Sequence, residues 1–292
     1  MHPGISLRTV SEQRAVARVG ISGWTYQPWR GVFYPRGLVQ REELAYAADR
    51  LDSIEINGTF YALQRPSSYL RWRDETPDDF VFSVKGGRYI THILRLKDAT
   101  QAVAGFFASG VLALQEKLGP ILWQLPQTLR FDPESLESFL ASLPRSVDDA
   151  RRLVAEHSQL KDDRTWTDTT VDRPIRHALE VRHESFLDPT FTEILRRHNV
   201  AVVVADTAGR WPRIREVTAD FVYVRLHGDT ELYTSGYDDN ALDDWAQTVR
   251  GWLTGESCLD GRGRDVFAYF DNDTKVRAPF DAMHLRERLA AI

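Results

Sequence analysis

Eight short runs of β-branched and aromatic residues recur at residues 17–23, 53–57, 80–85, 121–125, 177–183, 200–206, 221–227 and 266–271. No other feature restricts the fold as strongly. Helical stretches follow most of the runs, at 42–50, 66–72, 99–118, 133–143, 147–157, 189–197, 242–253 and 280–290, with Asp132 placed to cap the fourth. Strands that alternate with helices pair in parallel. Eight such units in 292 residues predict an α/β protein, a single (β/α)8 TIM-type barrel. An open doubly wound sheet is the alternative, but it carries a glycine-rich first turn, and here the first turn is Gly23-Trp24-Thr25-Tyr26. Residues 1–16 are polar and irregular and read as a loose arm before a barrel over 17–292. Residues 146–175 read as a helix and a polar excursion inserted before the fifth strand.

Composition removes several function classes. With one cysteine, Cys258, the chain has no intramolecular disulfide and no multi-cysteine zinc site. The formal charge of -5 supplies no bulk attraction to nucleic acid or a membrane surface. No apolar run approaches the roughly 18 residues of a membrane span, and the first residues lack the apolar core of a secretory signal. The expected setting is the cytoplasm. P-loop, His-Glu-x-x-His and Gly-x-Ser-x-Gly patterns are absent.

The chemistry gathers at the carboxyl ends of the strands, where barrel active sites lie. Those ends carry Trp24 and Tyr26; Glu55 and Asn57; Lys85, Arg88 and His92; Gln124; Glu180, Arg182 and His183; Asp206; Arg225 and His227; Asp271 and Asn272. The pairs Glu55/Asn57, Glu180/Arg182, Arg225/His227 and Asp271/Asp273 are spaced by two and so share a strand face. Charges on one face of an apolar segment must pair or meet a ligand.

Arginine forks match carboxylate or phosphate, so the favoured partner is a small anionic or polyhydroxylated molecule. Arg182, Arg225, Lys85, Arg88 and His92 would hold it, and Asn57 and Gln124 would orient it. Glu180, Glu55 and His227 would handle protons. No cofactor is predicted. A divalent metal on Glu55, Glu180, Asp206, His227 and Asp271 is the alternative, as in a hydrolase or isomerase, but the cations at the same mouth oppose it. A nucleic-acid substrate would need a basic approach such as Arg65, Arg71 and Arg73, which reads more plainly as a solvated helix face. A non-catalytic metabolite-binding module and a self-neutralising structural ion network complete the alternatives.

Several of these motifs also resemble a known family. Ser22-Gly23-Trp24 with Tyr26, Trp29, Gly31 and Phe33-Tyr34-Pro35, then Glu55-Ile56-Asn57 with Thr59-Phe60-Tyr61, resemble the opening of the YecE-like family, domain of unknown function 72. Lys85 with Arg88 and Thr91-His92, Gln124-Leu125-Pro126, Glu180-Val181-Arg182-His183, Arg225 with His227-Gly228, and Phe270-Asp271-Asn272-Asp273 continue the resemblance in order. It implies a TIM barrel with a polar pocket at the strand ends, and brings no established activity.

Overall fold

The computed structural model describes residues 14–169 and 172–291. Strands β1 (Ala17–Ser22), β2 (Ser53–Ile56), β3 (Val81–Lys85), β4 (Leu118–Gln124), β5 (His177–Glu180), β6 (Val200–Asp206), β7 (Phe221–Leu226) and β8 (Asp265–Phe270) pair in sequence order. All pairs are parallel, and β8 meets β1 from Ala17↔Val266 to Ile21↔Phe270. Closure leaves no strand edge with unpaired backbone groups. At the amino end of that seam the Asp265 carboxylate accepts from Val16 N (3.0 Å) and Arg176 Nη1 (2.8 Å). The expected arm lies outside the described residues up to 13.

The helices are α1 (Glu43–Ala48), α2 (Gly58–Tyr61), α3 (Pro66–Asp74), α4 (Thr100–Ala108), α5 (Pro133–Ser142), α6 (Val147–His157), α7 (Pro189–Arg197), α8 (Asp239–Thr254) and α9 (Ala278–Ala290). Their starts follow the local chemistry. Asp132, Asp188 and Asp238 accept from the amides of Ser135, Thr190 and Ala241, and Ser146 with Asp149 forms a capping box on α6. In α7, Phe191, Ile194 and Leu195 are buried at the spacing that turns one helical stripe to the barrel. α6, the helix expected ahead of the polar excursion, packs on α4.

Two boundaries differ from the sequence expectation. The helix placed over 99–118 stops at Ala108, and Gly110 adopts φ 116°. A Cβ at Gly110 would lie 2.7 Å from Pro66 Cα, so only glycine lets the chain turn there against α3. A 3-10 segment, Val111–Lys117, follows, and β4 begins at Leu118 rather than at residue 121. Hydrophobic spacing could not separate these pieces because most residues of each are buried. Residues 207–220, between β6 and β7, contain no helix.

The lumen is filled by alternate residues in register. Leu122 pairs with Ala178, Ala178 with Ala201, Val203 with Tyr223, and Tyr223 with Phe267. These residues, with Ala205, Phe221 and Tyr269, form an apolar cluster separate from the larger one under the helices. Above it, Tyr269 Oη is 2.7 Å from Ser53 Oγ and 2.6 Å from Ser83 Oγ. Two residues further along each strand comes the next inward layer: Glu55, Lys85, Gln124, Glu180, Arg225 and, just past β8, Asp271. On β1 the lumen position is Gly20, where a Cβ would fall 1.8 Å from the Ser53 carbonyl oxygen. Gly20→Ala should therefore force β1 and β2 apart and lower the unfolding free energy by about 2 kcal/mol or more, read by urea denaturation.

Candidate functional site

Arg225 stands at the centre of the upper layer and is 0% exposed. Its Nε donates to Glu55 Oε2 (3.0 Å), Nη2 to Glu55 Oε1 (2.9 Å) and Asp271 Oδ2 (2.9 Å), and Nη1 to Glu180 Oε2 (2.6 Å). One guanidinium thus ties β2, β5 and the end of β8 to β7. Glu55 is filled by two further donors, Ser22 Oγ (2.5 Å) and Tyr223 Oη (2.7 Å). The other oxygen of Glu180 accepts from Arg182 Nε (2.7 Å).

His227 completes the buried set. Its Nε2 lies 3.3 Å from Arg225 Nη1. A guanidinium only donates, so Nε2 must be the acceptor and the proton sits on Nδ1. That proton faces Asp271 Oδ2, 3.1 Å from Nδ1 but off hydrogen-bond alignment. Burial, then Arg225, pushes His227 below its ordinary value, so the ring is a neutral Nδ1–H imidazole.

Electrostatics divides the groups further. Burial raises the Glu180 carboxyl, but Arg182 and Arg225 more than reverse this and leave it well below the usual range. Asp271 follows the same balance and comes down to about 2. Two residues on, Asp273 is pushed the other way, by burial and then by the Asp271 charge, up to about 6. Tyr26 sits beside Asp273, with its hydroxyl donating to Ser22 O (2.6 Å). Burial, then the Arg225 charge, brings the Lys85 amine down to about 8. Burial with Arg88, Lys85, Arg182 and Arg95 presses His92 down to about 4.

The accessible groups are fewer than the buried ones. Asp271 and Arg182 side chains are 16% and 13% exposed. Arg182 lays its guanidinium over Trp211 (3.8 Å), and among the described residues its Nη atoms have no hydrogen-bond partner. Gln124 makes no side-chain hydrogen bond there either, and Asn57 Oδ1 is buried without one. Lys85 Nζ rests 4.6 Å from the Phe60 ring centre. Arg88 is exposed on the rim. The mouth therefore has donors on the β3–β5 side and Asp271, Asp273 and Tyr26 opposite.

Three expected members stand elsewhere. Asp206 is paired with Leu226 in register, one residue off the lumen phase. It faces Arg213 (3.5 Å) in a cavity of about 570 Å³ lined also by Trp245 and Trp252 of α8. His183 accepts from Ser185 N (3.0 Å) and caps the turn Glu184–Phe186. Asn272 donates to Asp281 Oδ2 (2.8 Å) and Ser235 O (2.9 Å), bracing α9. Trp24 packs edge-on against Trp72, 5.4 Å between centroids, at the margin. His92 is 2.9 Å from Thr91 Oγ1 and packs on Phe60.

Two mouth residues escaped the strand-end rule, Trp211 and Tyr233. Trp211 comes from the helix-free 207–220 connection. Tyr233, at φ 62°, returns from the loop after β7, its amide bonded to His227 O and its ring 5.3 Å from the imidazole. Among the described residues no three His, Cys, Asp or Glu side chains are placed to hold a metal ion. The carboxylates that would do so converge on Arg225 instead. Arg71 and Arg73, proposed as a basic approach, pair with Glu75 (3.9 Å) and Asp74 (2.8 Å). No described helix is long and apolar enough to cross a membrane.

Arg225→Met would strand two buried carboxylates, Glu55 and Glu180, and release Asp271, and should cost about 3–5 kcal/mol, measured by denaturant unfolding at pH 7. Lys85 works in the opposite sense. Its folded value lies below the ordinary 10.5, so the unfolded chain binds the proton better and stability rises with pH between about 8 and 10.5. Below pH 8 the full penalty is present, and Lys85→Met should raise the unfolding free energy there by about 1–3 kcal/mol. An unchanged or lower stability would show that the ammonium is compensated.

Residues 18–292 match the family described as "Protein of unknown function DUF72". The chain is 33% identical to the UPF0759 protein YecE of Escherichia coli K12 over 129 residues, spanning 43% of this chain and only 44% of that one. It is 21% identical to YunF of Bacillus subtilis across 93% of its own length and 94% of the relative's. A DUF72 crystal structure from Thermotoga maritima superposes with TM-score 0.74 at 25% identity, covering 94% of this chain and 99% of that one. One from Enterococcus faecalis gives 0.69 at 17%, covering 94% and 96%, a likeness of fold. The residues of the mouth lie within the matched span, and the chain belongs to the DUF72, YecE-like family.

Proposed function

We propose that the protein is an enzyme that acts on a small molecule carrying a carboxylate or phosphate, by metal-independent acid–base chemistry at the mouth of the barrel. The observation that carries this reading is the set of donors left without protein partners. Lys85 of β3, Gln124 of β4 and Arg182, just past β5, come from three consecutive strands and leave Nζ, the amide and the Nη atoms without protein partners among the described residues. Structural salt bridges use up their donors, as Arg225 does. Groups that remain open at the edge of a buried charge network are available to a ligand.

The opposite wall supplies the proton chemistry. Two carboxyls whose environments push them apart, Asp271 at about 2 and Asp273 at about 6, are an acid–base division of labour. Asp273 keeps its proton into the mildly acidic range and is the donor; Asp271 stays ionised and polarises His227. Glu55 and Glu180, expected from sequence to move protons, have their lone pairs taken by Arg225, Arg182, Ser22 and Tyr223. Their role here is to fix Arg225 and Arg182. A divalent metal would have to displace Arg225 from the same oxygens, which disfavours the metal-dependent alternative.

The test is a ligand screen by thermal shift and calorimetry with hydroxy acids, oxo acids and sugar phosphates. Loss of one charge-assisted contact in Arg182→Met should weaken the best anionic ligand about 10- to 100-fold; equal affinity would end the reading. With a substrate found, activity should fall as pH rises through about 6, and Asp273→Asn should abolish turnover while binding persists. A pH profile flat across that range would remove Asp273 as the acid.

A further inference from the structure

We infer that Lys85 is a covalent nucleophile, whose amine condenses with the carbonyl of an aldehyde or ketone substrate to form an imine. The inference rests on the anionic-ligand reading above and specifies its substrate as an oxo acid or a carbonyl phosphate. The chain carries five lysines, Lys85, Lys97, Lys117, Lys161 and Lys275, among 37 basic residues, leaving 37 − 5 = 32 arginines. A chain that meets nearly every need for positive charge with arginine has placed an amine at the end of β3.

The other buried lysine provides the contrast. Lys85 and Lys117 are each 8% exposed. Lys117 spends its ammonium on Arg73 O (2.6 Å), Thr76 O (2.7 Å) and Thr76 Oγ1 (3.3 Å), as a structural lysine should. Among the described residues Lys85 Nζ has no hydrogen bond and no ion pair. The nearby carboxylates Glu55, Glu180 and Asp271 are all bound to Arg225. Its neighbour is the face of Phe60 at 4.6 Å, and the Arg225 charge opposes its protonation. Desolvation together with an adjacent cation is the environment that turns a lysine into a nucleophile at neutral pH.

The step balances without an oxidant or metal. The lone pair of the neutral amine forms the N–C bond as the carbonyl π pair moves to oxygen, which takes a proton. Loss of the remaining nitrogen proton to water and of the hydroxyl, which takes a proton from solvent, gives the imine and one water. Arg182 and Gln124 hold the substrate's carboxylate or phosphate. Addition of one water across the C=N bond reverses the step, releasing the carbonyl compound and regenerating the amine.

Glyoxylate and glycolaldehyde phosphate are the probes, with sodium cyanoborohydride to fix any imine, followed by intact-mass and peptide-mapping spectrometry. One adduct per chain is expected at Lys85. It should exceed that on exposed Lys97, Lys161 or Lys275 by about tenfold or more, since the Lys85 amine is brought down to about 8 and stands at the mouth, where the anionic group of the probe is held. Its rate should climb through about pH 8, and Lys85→Arg and Lys85→Met should remove it. Adducts on the exposed lysines with Lys85 untouched would overturn the inference. If oxalate, which has no aldehyde or ketone, still raised the melting temperature through Arg182 in that case, the anion site would stand alone. Labelling of Lys85 that oxalate does not block and Arg182→Met does not slow would sink the anion reading and leave the nucleophile.

Discussion

The interior of this barrel turns on one guanidinium. Arg225 reaches carboxylates from three other strand ends with five donor hydrogens in a fixed plane. A lysine could not span Glu55, Glu180 and Asp271 at once. The arrangement is not cheap, because each ion leaves water, and a buried ion network often adds little net stability over an apolar one. What it adds is position. With Glu55 filled by four donors and Glu180 held between two arginines, the floor of the mouth has one arrangement of charge, whatever binds above it.

That floor was legible because strand geometry has a period of two. Ser53, Ser83, Leu122, Ala178, Tyr223 and Tyr269 face the lumen, and each lies two residues before a charged or amide residue of the upper layer. The spacing rule put Glu55, Glu180, Arg225 and His227 on strand faces, and the structure turns all four inward, with Arg225 tied across strands to Glu55 and Glu180. The expected residues that went elsewhere, Asp206, His183 and Asn272, are the ones that break the phase. Asp206 sits next to inward-facing Ala205, His183 next to Arg182, and Asn272 between Asp271 and Asp273. Position at the end of a strand was not enough; parity decided which end residues enter the mouth.

Where no period exists, the sequence was silent. Trp211 and Tyr233 reach the site from loops, and each is placed by tertiary contacts: an Arg182 guanidinium on the indole, and a backbone bond to His227 that holds Tyr233 at positive φ. Similarly, the single helix expected over 99–118 reads as continuous because apolar residues dominate it from Ala102 to Leu114. The break at Gly110 comes from the approach of Pro66, forty-four residues earlier, which no local pattern records. Helix caps show the reverse case. Asp132 acts on an amide three residues ahead, and its role was readable from the chain alone.

The division between locked and free groups is what makes a catalytic reading more economical than a purely structural one. A self-neutralising network has no use for an unpaired amine, and burying one costs stability below its titration point. Nor does it need two carboxyls two residues apart to be held at about 2 and about 6. Both departures stand at the accessible margin of the network, on opposite walls, while Arg225, Glu55 and Glu180 at its centre are hydrogen-bonded throughout. On the proposed reading, the rigid centre of the site supplies the field, and the few groups it leaves unsatisfied supply the reactivity.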